Sequence, residues 1–261
     1  MLKARELFQV LETWAPSDLA ESYDNVGLLV GNPDQELTGA LVNLDVTEDV
    51  INEAIHLGVN CIITHHPIWF KSRKNLTGED YVSRILIQAV KKDILLFAAH
   101  TNLDNVIHGV NQKIGQKLNL QETQFLRTKA SPTPSGSGLV GFLPNPLSKQ
   151  SFLDTVKSTF HCGIVRYADF PGDTIQKVGV CGGAGSFLIP EARKQQVDAF
   201  LTADLSYHYF FENEDRFLLC DIGHYESEQF TSELILEFIS KKFRKFAIHL
   251  SKVRTNPVHY H

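Results

Sequence analysis

The stretch "GALVNLDVTEDVINEAIHLGVNCIITHHP" (residues 39–67) decides the fold class. Two apolar runs, "GALVNLDVT" (39–47) and "VNCIITHH" (59–66), read as strands. Between them "EDVINEAIHLG" reads as a helix that Thr47 caps and Gly58 terminates. Strand, helix and strand in that order make a βαβ unit, which implies a largely parallel sheet. Pro67 matters to the end of the run. It lacks a donor N–H and restricts the residue before it, so His66 falls where strand yields to turn. Strict alternation of side chains then no longer sends His65 and His66 to opposite faces.

Working outward, residues 2–14 read as an amphipathic helix closed by Pro16 and Ser17, and "NVGLLVG" (25–31) as a short strand. A helix over 80–92 and the strand "ILLFAAH" (94–100) complete the first half. "RTKASPTPSGSG" (127–138) holds two prolines and two glycines without large apolar residues and reads as a linker or long loop. The second half offers a helix over 149–160, the strand "KVGVCGG", and a helix near 188–196. The strand "VDAFLTAD", a short helix over 206–213, the strand "FLLCDIGH" and a helix over 226–241 follow. The expected organisation is a first α/β unit over 1–126, the linker 127–138, and a second unit over 139–261 whose C-terminal segment packs back on the first.

The halves look duplicated. "GALVNLDV", helix, "VNCIITHH" matches "QKVGVCGG", helix, "VDAFLTAD", and both third strands end in histidine, His100 and His224.

The chain has 261 residues, 43% hydrophobic and 21% charged, which is the composition of a soluble globular protein. A net charge of −5 and pI near 6.1 argue against coating nucleic acid by bulk electrostatics. Cys61, Cys162, Cys181 and Cys220 form no CxxC pair and sit in or beside apolar runs, as free thiols do. "MLKARELFQVLETWAP" carries charge throughout, unlike a signal peptide, and no stretch has the apolar length of a membrane helix. The expected location is the cytoplasm, with no membrane partner.

Parallel α/β sheets bind ligands beyond the carboxyl ends of their strands. There this chain places His65 and His66, His100 and Asp104, Asp204 and His208, and His224 and Glu228. Imidazole and carboxylate together suit zinc, iron(II) or manganese, and the lack of thiolate ligands argues against an iron–sulfur cluster. His224 and Glu228 share a face if a helix begins just after Gly223. An isolated pair of that spacing is more often a surface hydrogen bond. His56, His108, His161, His249 and His259 read as structural or solvated. "CGGAGSF" (181–187) lacks the phosphate-gripping GxxxxGK[ST] pattern and reads at least as well as a tight turn that permits close packing.

In order and spacing, "YDNVGLLVG" (23–31), "ITHHP" (63–67), "AAHTNLD" (98–104), "VCGGAGS" (180–186), "DAFLTADLSYH" (198–208), "GHYESE" (223–228) and "TNPV" (255–258) resemble one known family. It is the Nif-three-like (NGG-one-interacting-factor-three-like) dinuclear metal proteins, also described as GTP cyclohydrolase I type 2 homologues. The resemblance covers nearly the whole chain. It implies two similar, intertwined α/β units with mostly parallel or mixed sheets, and a two-metal site in the cleft between them. It implies His65, His66, Asp104, His224 and Glu228 as ligands, and a toroidal homohexamer built from dimers. Ala203 stands where relatives often have glycine, and the chain lacks the large insertion that longer relatives carry near the middle.

Two carboxylates against two dications leave a charge of about +2, which suits a phosphate-bearing small molecule. The first expectation is a metal-dependent hydrolase in which activated water attacks C8 of the guanine ring of GTP, beginning conversion to dihydroneopterin triphosphate. His100 and His208 are the proton-transfer candidates. The alternatives are a metal-containing oligomeric scaffold or regulator without turnover, and a two-metal hydrolase acting on another phosphorylated or cyclic substrate.

Overall fold

A computed structural model describes residues 2–130 and 133–261. The chain divides into two compact units, each built from two separate stretches. Unit 1 takes the chain up to Leu103 together with Thr231–Pro257, and unit 2 takes Asp104–Phe230 with Val258–His261.

Unit 1 opens with helix α1 (Ala4–Trp14) and strand β1 (Gly27–Val30). Strand β2 (Ala40–Asn43), helix α2 (Glu48–Leu57), strand β3 (Cys61–Thr64), helix α3 (Tyr81–Lys91) and strand β4 (Leu95–Ala98) follow. The Thr47 side chain accepts from Val50 N, and Gly58 closes α2 in the left-handed region at φ 69°. Those are the two ends expected for that helix. The sheet runs β1-β4-β3-β2-β11, its last strand coming from the late stretch (Ile248–Leu250). β11, β2, β3 and β4 are mutually parallel, while β1 lies antiparallel on the β4 edge. Leu41, Ile62 and Leu96 bury one sheet face against Val50, Ile51, Ala54, Ile85 and Leu86 of α2 and α3.

Register places the chemistry. Asn43 pairs with Thr64, and Thr64 with Ala98, so three parallel strands end level with one another. Asp45, His65 with His66, and His100 therefore leave the sheet at one edge. Neither histidine of the doublet belongs to β3, which stops at Thr64. The Thr64 hydroxyl donates to His66 O at 2.7 Å, and His66 N donates to Leu44 O at 3.0 Å, fixing the turn.

Unit 2 begins in helix α4 (Thr101–Asp104), whose first three residues count with unit 1, and continues with helix α5 (Val110–Lys117). Next come strands β5 (Gln121–Lys129) and β6 (Ser135–Ser148), helix α6 (Lys149–Thr159), and strands β7 (Arg166–Ala168) and β8 (Thr174–Ala184). Helix α7 (Ile189–Lys194), strand β9 (Ala199–Ala203), a 3-10 helix (Tyr207–Asn213), strand β10 (Leu218–Asp221) and helix α8 (His224–Glu228) complete it. Its sheet runs β5-β6-β8-β9-β10-β7, parallel through β8, β9 and β10 and antiparallel elsewhere.

The structure differs from the sequence reading in three places. The 127–138 segment lies largely in the antiparallel pair β5 and β6, with Arg127 opposite Ser137 and Lys129 opposite Ser135. Its Gly136 packs a Cβ-free position against Arg127 O and the Phe125 ring. Residues 131 and 132 of that segment lie outside the described residues. The helix expected over 226–241 is two helices, α8 and α9 (Thr231–Lys242), the first starting at His224 because Gly223 turns the chain at φ 91°. The units divide at Leu103 and Phe230 rather than around 127–138, because β5 and β6 belong to the second sheet and α9 with β11 to the first.

The duplication is visible in topology. Helix, antiparallel edge strand, then three parallel strands run through α1, β1, β2, β3, β4 in unit 1 and α6, β7, β8, β9, β10 in unit 2. In both, the edge strand pairs beside the third parallel strand.

Candidate metal centre

In unit 1 three imidazoles converge. The ring centroids are 4.9 Å apart for His65 and His66, 5.1 Å for His65 and His100, and 5.4 Å for His66 and His100. One ligating nitrogen from each lies within 4.8 Å of the others. His65 is fully buried.

Each ring is held by Nδ1. His65 Nδ1 is 2.8 Å from Ala99 O, His66 Nδ1 is 2.7 Å from Asp45 Oδ1, and His100 Nδ1 is 2.8 Å from Asp24 Oδ1. A carbonyl or a carboxylate can only accept, so Nδ1 carries the proton and, in the neutral ring, Nε2 carries the lone pair. The orienting carboxylates are themselves fixed. Asp45 Oδ2 accepts from the Thr255 hydroxyl at 2.6 Å, and Asp24 Oδ2 accepts from Thr101 N at 3.0 Å and from the Thr101 hydroxyl. Burial alone would raise the Asp24 pKa; the bonds and charge from His100 outweigh it, with Thr101 assisting, and bring it to about 2.

Unit 2 repeats the device at the ends of β9 and β10. Asp221 pairs with Thr202 in parallel register, so Asp204 and His224 leave neighbouring strands together. His224 Nδ1 lies 2.6 Å from Asp204 Oδ2, and Nε2 lies 3.1 Å from Glu228 Oε2 one helical turn on. Asp204 adopts a left-handed backbone at φ 56°, a conformation that non-glycine residues seldom take outside turns and functional sites. Burial would lower the His224 pKa, but Glu228 and Asp204 outweigh it and raise it to about 11. The hydrogen bond from His224 correspondingly lowers the Asp204 pKa.

The glycine-rich turn is the seat of Glu228. A Cβ on Gly183 would stand 2.4 Å from Glu228 Oε1 and 3.3 Å from His224 Cε1, and one on Gly182 would stand 3.2 Å from Glu228 Cγ. Gly183 is pinned on both sides: its N donates to Ser227 Oγ and its O accepts from Thr202 Oγ1, each at 3.0 Å. The close-packing reading of "CGGAGSF" accounts for this turn. Asn111 ties Asp104 to the same loop, donating to Asp104 O at 3.1 Å and accepting from Gly182 N at 3.0 Å.

Within unit 1 the structure thus gathers His65, His66 and His100, and within unit 2 it joins His224 to Glu228 and ties Asp104 to the glycine turn. His208 is exposed on the 3-10 helix, its ring against Tyr207 at 5.4 Å. The four cysteines are buried and protonated, and burial raises Cys61 and Cys162 to about 12. None offers a thiolate. Asp24, Asp45 and Asn111 escaped the sequence reading, although Asp45 follows β2 as His66 follows β3, and Asp24 lies inside "YDNVGLLVG".

The donor set fits a divalent metal. Histidines oriented through Nδ1 by carboxylates or carbonyls, with Nε2 presented, are what metal-ligating imidazoles require. A glycine whose Cβ would displace a buried carboxylate shows that the carboxylate's position is held by the fold.

A sequence profile of the Duf34/NIF3 (NGG1p interacting factor 3) family matches residues 2–257. A Clostridium acetobutylicum protein named GTP cyclohydrolase 1 type 2 homolog is 35% identical over 229 residues, covering 87% of this chain and 85% of its own. A Lactococcus lactis protein of the same name is 32% identical over 265 residues, covering 98% of each. Among solved structures, a Bacillus cereus protein related to NIF3 superposes with a TM-score of 0.93 over 100% of this chain and 99% of its own, at 22% identity, a likeness of fold. A Staphylococcus aureus protein, SA1388, superposes with a TM-score of 0.90 at 28% identity over 99% of both chains. The chain belongs to the Duf34/NIF3 family.

Proposed function

We propose that the chain is a dinuclear metal-dependent hydrolase whose two divalent ions are ligated by His65, His66, Asp104, His224 and Glu228, and whose substrate is GTP, taken to dihydroneopterin triphosphate. The observation that carries the reading is the shared orientation of the rings, with Nδ1 of His65, His66 and His224 each engaged by a protein oxygen. The names of the relatives bring in the GTP cyclohydrolase chemistry.

Held by those five residues, two divalent ions would supply Lewis-acid chemistry and water activation near neutral pH. The chain's own part is orientation and proton transfer. Asp24, ionised down to about pH 2, holds the Nδ1 proton of His100, so that Nε2 is the atom that takes up or delivers a proton. His208 is the second proton-transfer candidate. The homohexamer, six chains of 29.3 kDa, belongs to the same proposal and is tested by light scattering.

The experiment loads purified protein with zinc, iron or manganese in turn, measures metal per chain by elemental analysis, and follows GTP by chromatography. About two equivalents of metal and metal-dependent turnover are expected. His65→Ala should lose metal and turnover together, while His100→Ala should keep metal and lose turnover. Full turnover by metal-free His65→Ala protein would refute the mechanism. Metal binding with no turnover of any nucleotide, cyclic amidine or phosphoester leaves the scaffold reading in its place.

A further inference from the structure

At the opposite edge of the unit 1 sheet from the histidines lies a cavity of about 730 Å³. Its wall includes Thr38 and Ala247, which precede β2 and β11 at their amino ends, whereas the histidines follow the carboxyl ends. Helix α9 ends beside it, and the turn that follows, closed by Phe246 N donating to Phe243 O at 3.1 Å, sets Phe243 and Phe246 into its lining. Lys241, Lys242, Arg244 and Lys245 surround them, all four exposed. Among the described residues none of the four forms an ion pair, and no carboxylate lines the cavity.

The charge is concentrated against the trend of the chain. Residues 238–261 contain six Lys and Arg and no Asp or Glu, in a protein of net charge −5. Lys241 and Lys242 have a structural use, since cations favour the last turn of a helix. Arg244 and Lys245 lie past that turn, where the helix end does not explain them. The cavity is of the size that holds a drug-sized molecule, which is typically about 300–1,000 Å³. Aromatic lining with unpaired cations at the mouth recognises an anion carried on an apolar or planar body.

We propose that this cavity binds a soluble organic phosphate, its aromatic or apolar body against Phe243 and Phe246 and its phosphates among the four cations. The site is independent of the metal-centre reading. The test is calorimetric titration of the full-length protein with ADP and with inorganic pyrophosphate. ADP should bind at least about tenfold more tightly than pyrophosphate, a difference of roughly 1.4 kcal/mol, because only ADP has a body to bury. Binding should weaken between ~50 and ~500 mM salt. Arg244→Glu with Lys245→Glu should weaken ADP at least about tenfold with an unchanged circular-dichroism spectrum, and Lys241→Gln should weaken it in the same direction. ADP binding should survive in His65→Ala. Equal affinity for ADP and pyrophosphate, indifference to charge reversal, or loss with His65→Ala would each overturn the proposal. Retention on phosphatidylglycerol vesicles without ADP binding would overturn it in favour of a lipid headgroup.

Discussion

Gly183→Ala tests whether the fold places Glu228 for a metal or merely packs it. Two effects of this substitution separate. Gly183 sits at φ 61°, so any Cβ carries the left-handed penalty of roughly 1–2 kcal/mol. In addition the new Cβ would stand 2.4 Å from Glu228 Oε1, against an ordinary carbon–oxygen contact of about 3.3 Å. The carboxylate must retreat by roughly 1 Å, and displacements of that size in a site are worth about 10²-fold. It has little room to do so elsewhere, since Glu228 is 3% exposed and Gly183 is hydrogen-bonded at both N and O. Metal affinity should therefore fall about 10²-fold, or roughly 2.7 kcal/mol. Gly58→Ala is the control. It shares the backbone conformation, at φ 69°, but a Cβ there meets nothing within 4 Å. It should lower Tm by roughly 2–4 °C for each kcal/mol and leave metal affinity unchanged. Affinities come from competition with a chromophoric chelator on both variants. Wild-type affinity in Gly183→Ala, or equal losses in the two, would show that Glu228 is not positioned as a ligand.

Further outcomes follow from the orienting carboxylates and the buried charges. Asp45→Asn and Asp204→Asn should each weaken metal about 10–100-fold with the fold retained, measured after dialysis against chelator; unchanged affinity would reduce these bonds to ordinary packing. His224 is held protonated, its pKa raised from 6.5 to about 11, so a metal that needs Nε2 must displace a proton there. Apparent affinity should rise with pH, by up to about tenfold per pH unit, and a flat profile between pH ~6 and ~9 would contradict this. In the metal-free protein the same raised pKa stabilises the fold below 6.5, and that contribution is lost as pH climbs toward about 11. Asp24 has the opposite sign: its folded pKa lies near 2, below the usual 3.8, so its contribution is present above 3.8 and lost as pH falls toward 2. Asp24→Asn should therefore flatten the acid limb of a urea-midpoint profile measured between pH ~3 and ~7. Cys61, Cys162, Cys181 and Cys220 should resist iodoacetamide until the protein is unfolded, because burial raises the pKa of every one of these thiols.

What could be read from the sequence was periodic or punctuated. Thr47 and Gly58 mark the ends of α2, and the strands "CIIT" and "LLCD" stand out because they are buried on both faces. β5 was hidden because, apart from Phe125 and Leu126, it is a run of exposed and half-buried polar residues, and β6 because it follows Pro134 and opens on Ser135, Gly136, Ser137 and Gly138, a composition that reads as loop. The break between α8 and α9 was hidden because Gln229 and Phe230 interrupt the helix without Pro or Gly. The histidines were visible by type and place, whereas Asp24 and Asp45 were not. An aspartate in a loop has many uses, and only the strand register shows which imidazole it meets.

That register also explains why the duplicated unit supports two versions of one device. Neighbouring parallel strands run about 4.8 Å apart, so residues leaving level strand ends are set within reach of a carboxylate–imidazole bond. Counting from Val59 and Val197, His66 of the first half occupies the position of Asp204 in the second. In unit 1 that position carries the imidazole, oriented by Asp45 from the adjacent β2 end. In unit 2 it carries the orienting carboxylate, and the imidazole is His224 at the adjacent β10 end. One geometry, set by backbone pairing rather than by any single side chain, accepts either member of the pair at the same place. Exchanging which strand bears which partner leaves an oriented Nε2 at the sheet edge in both units.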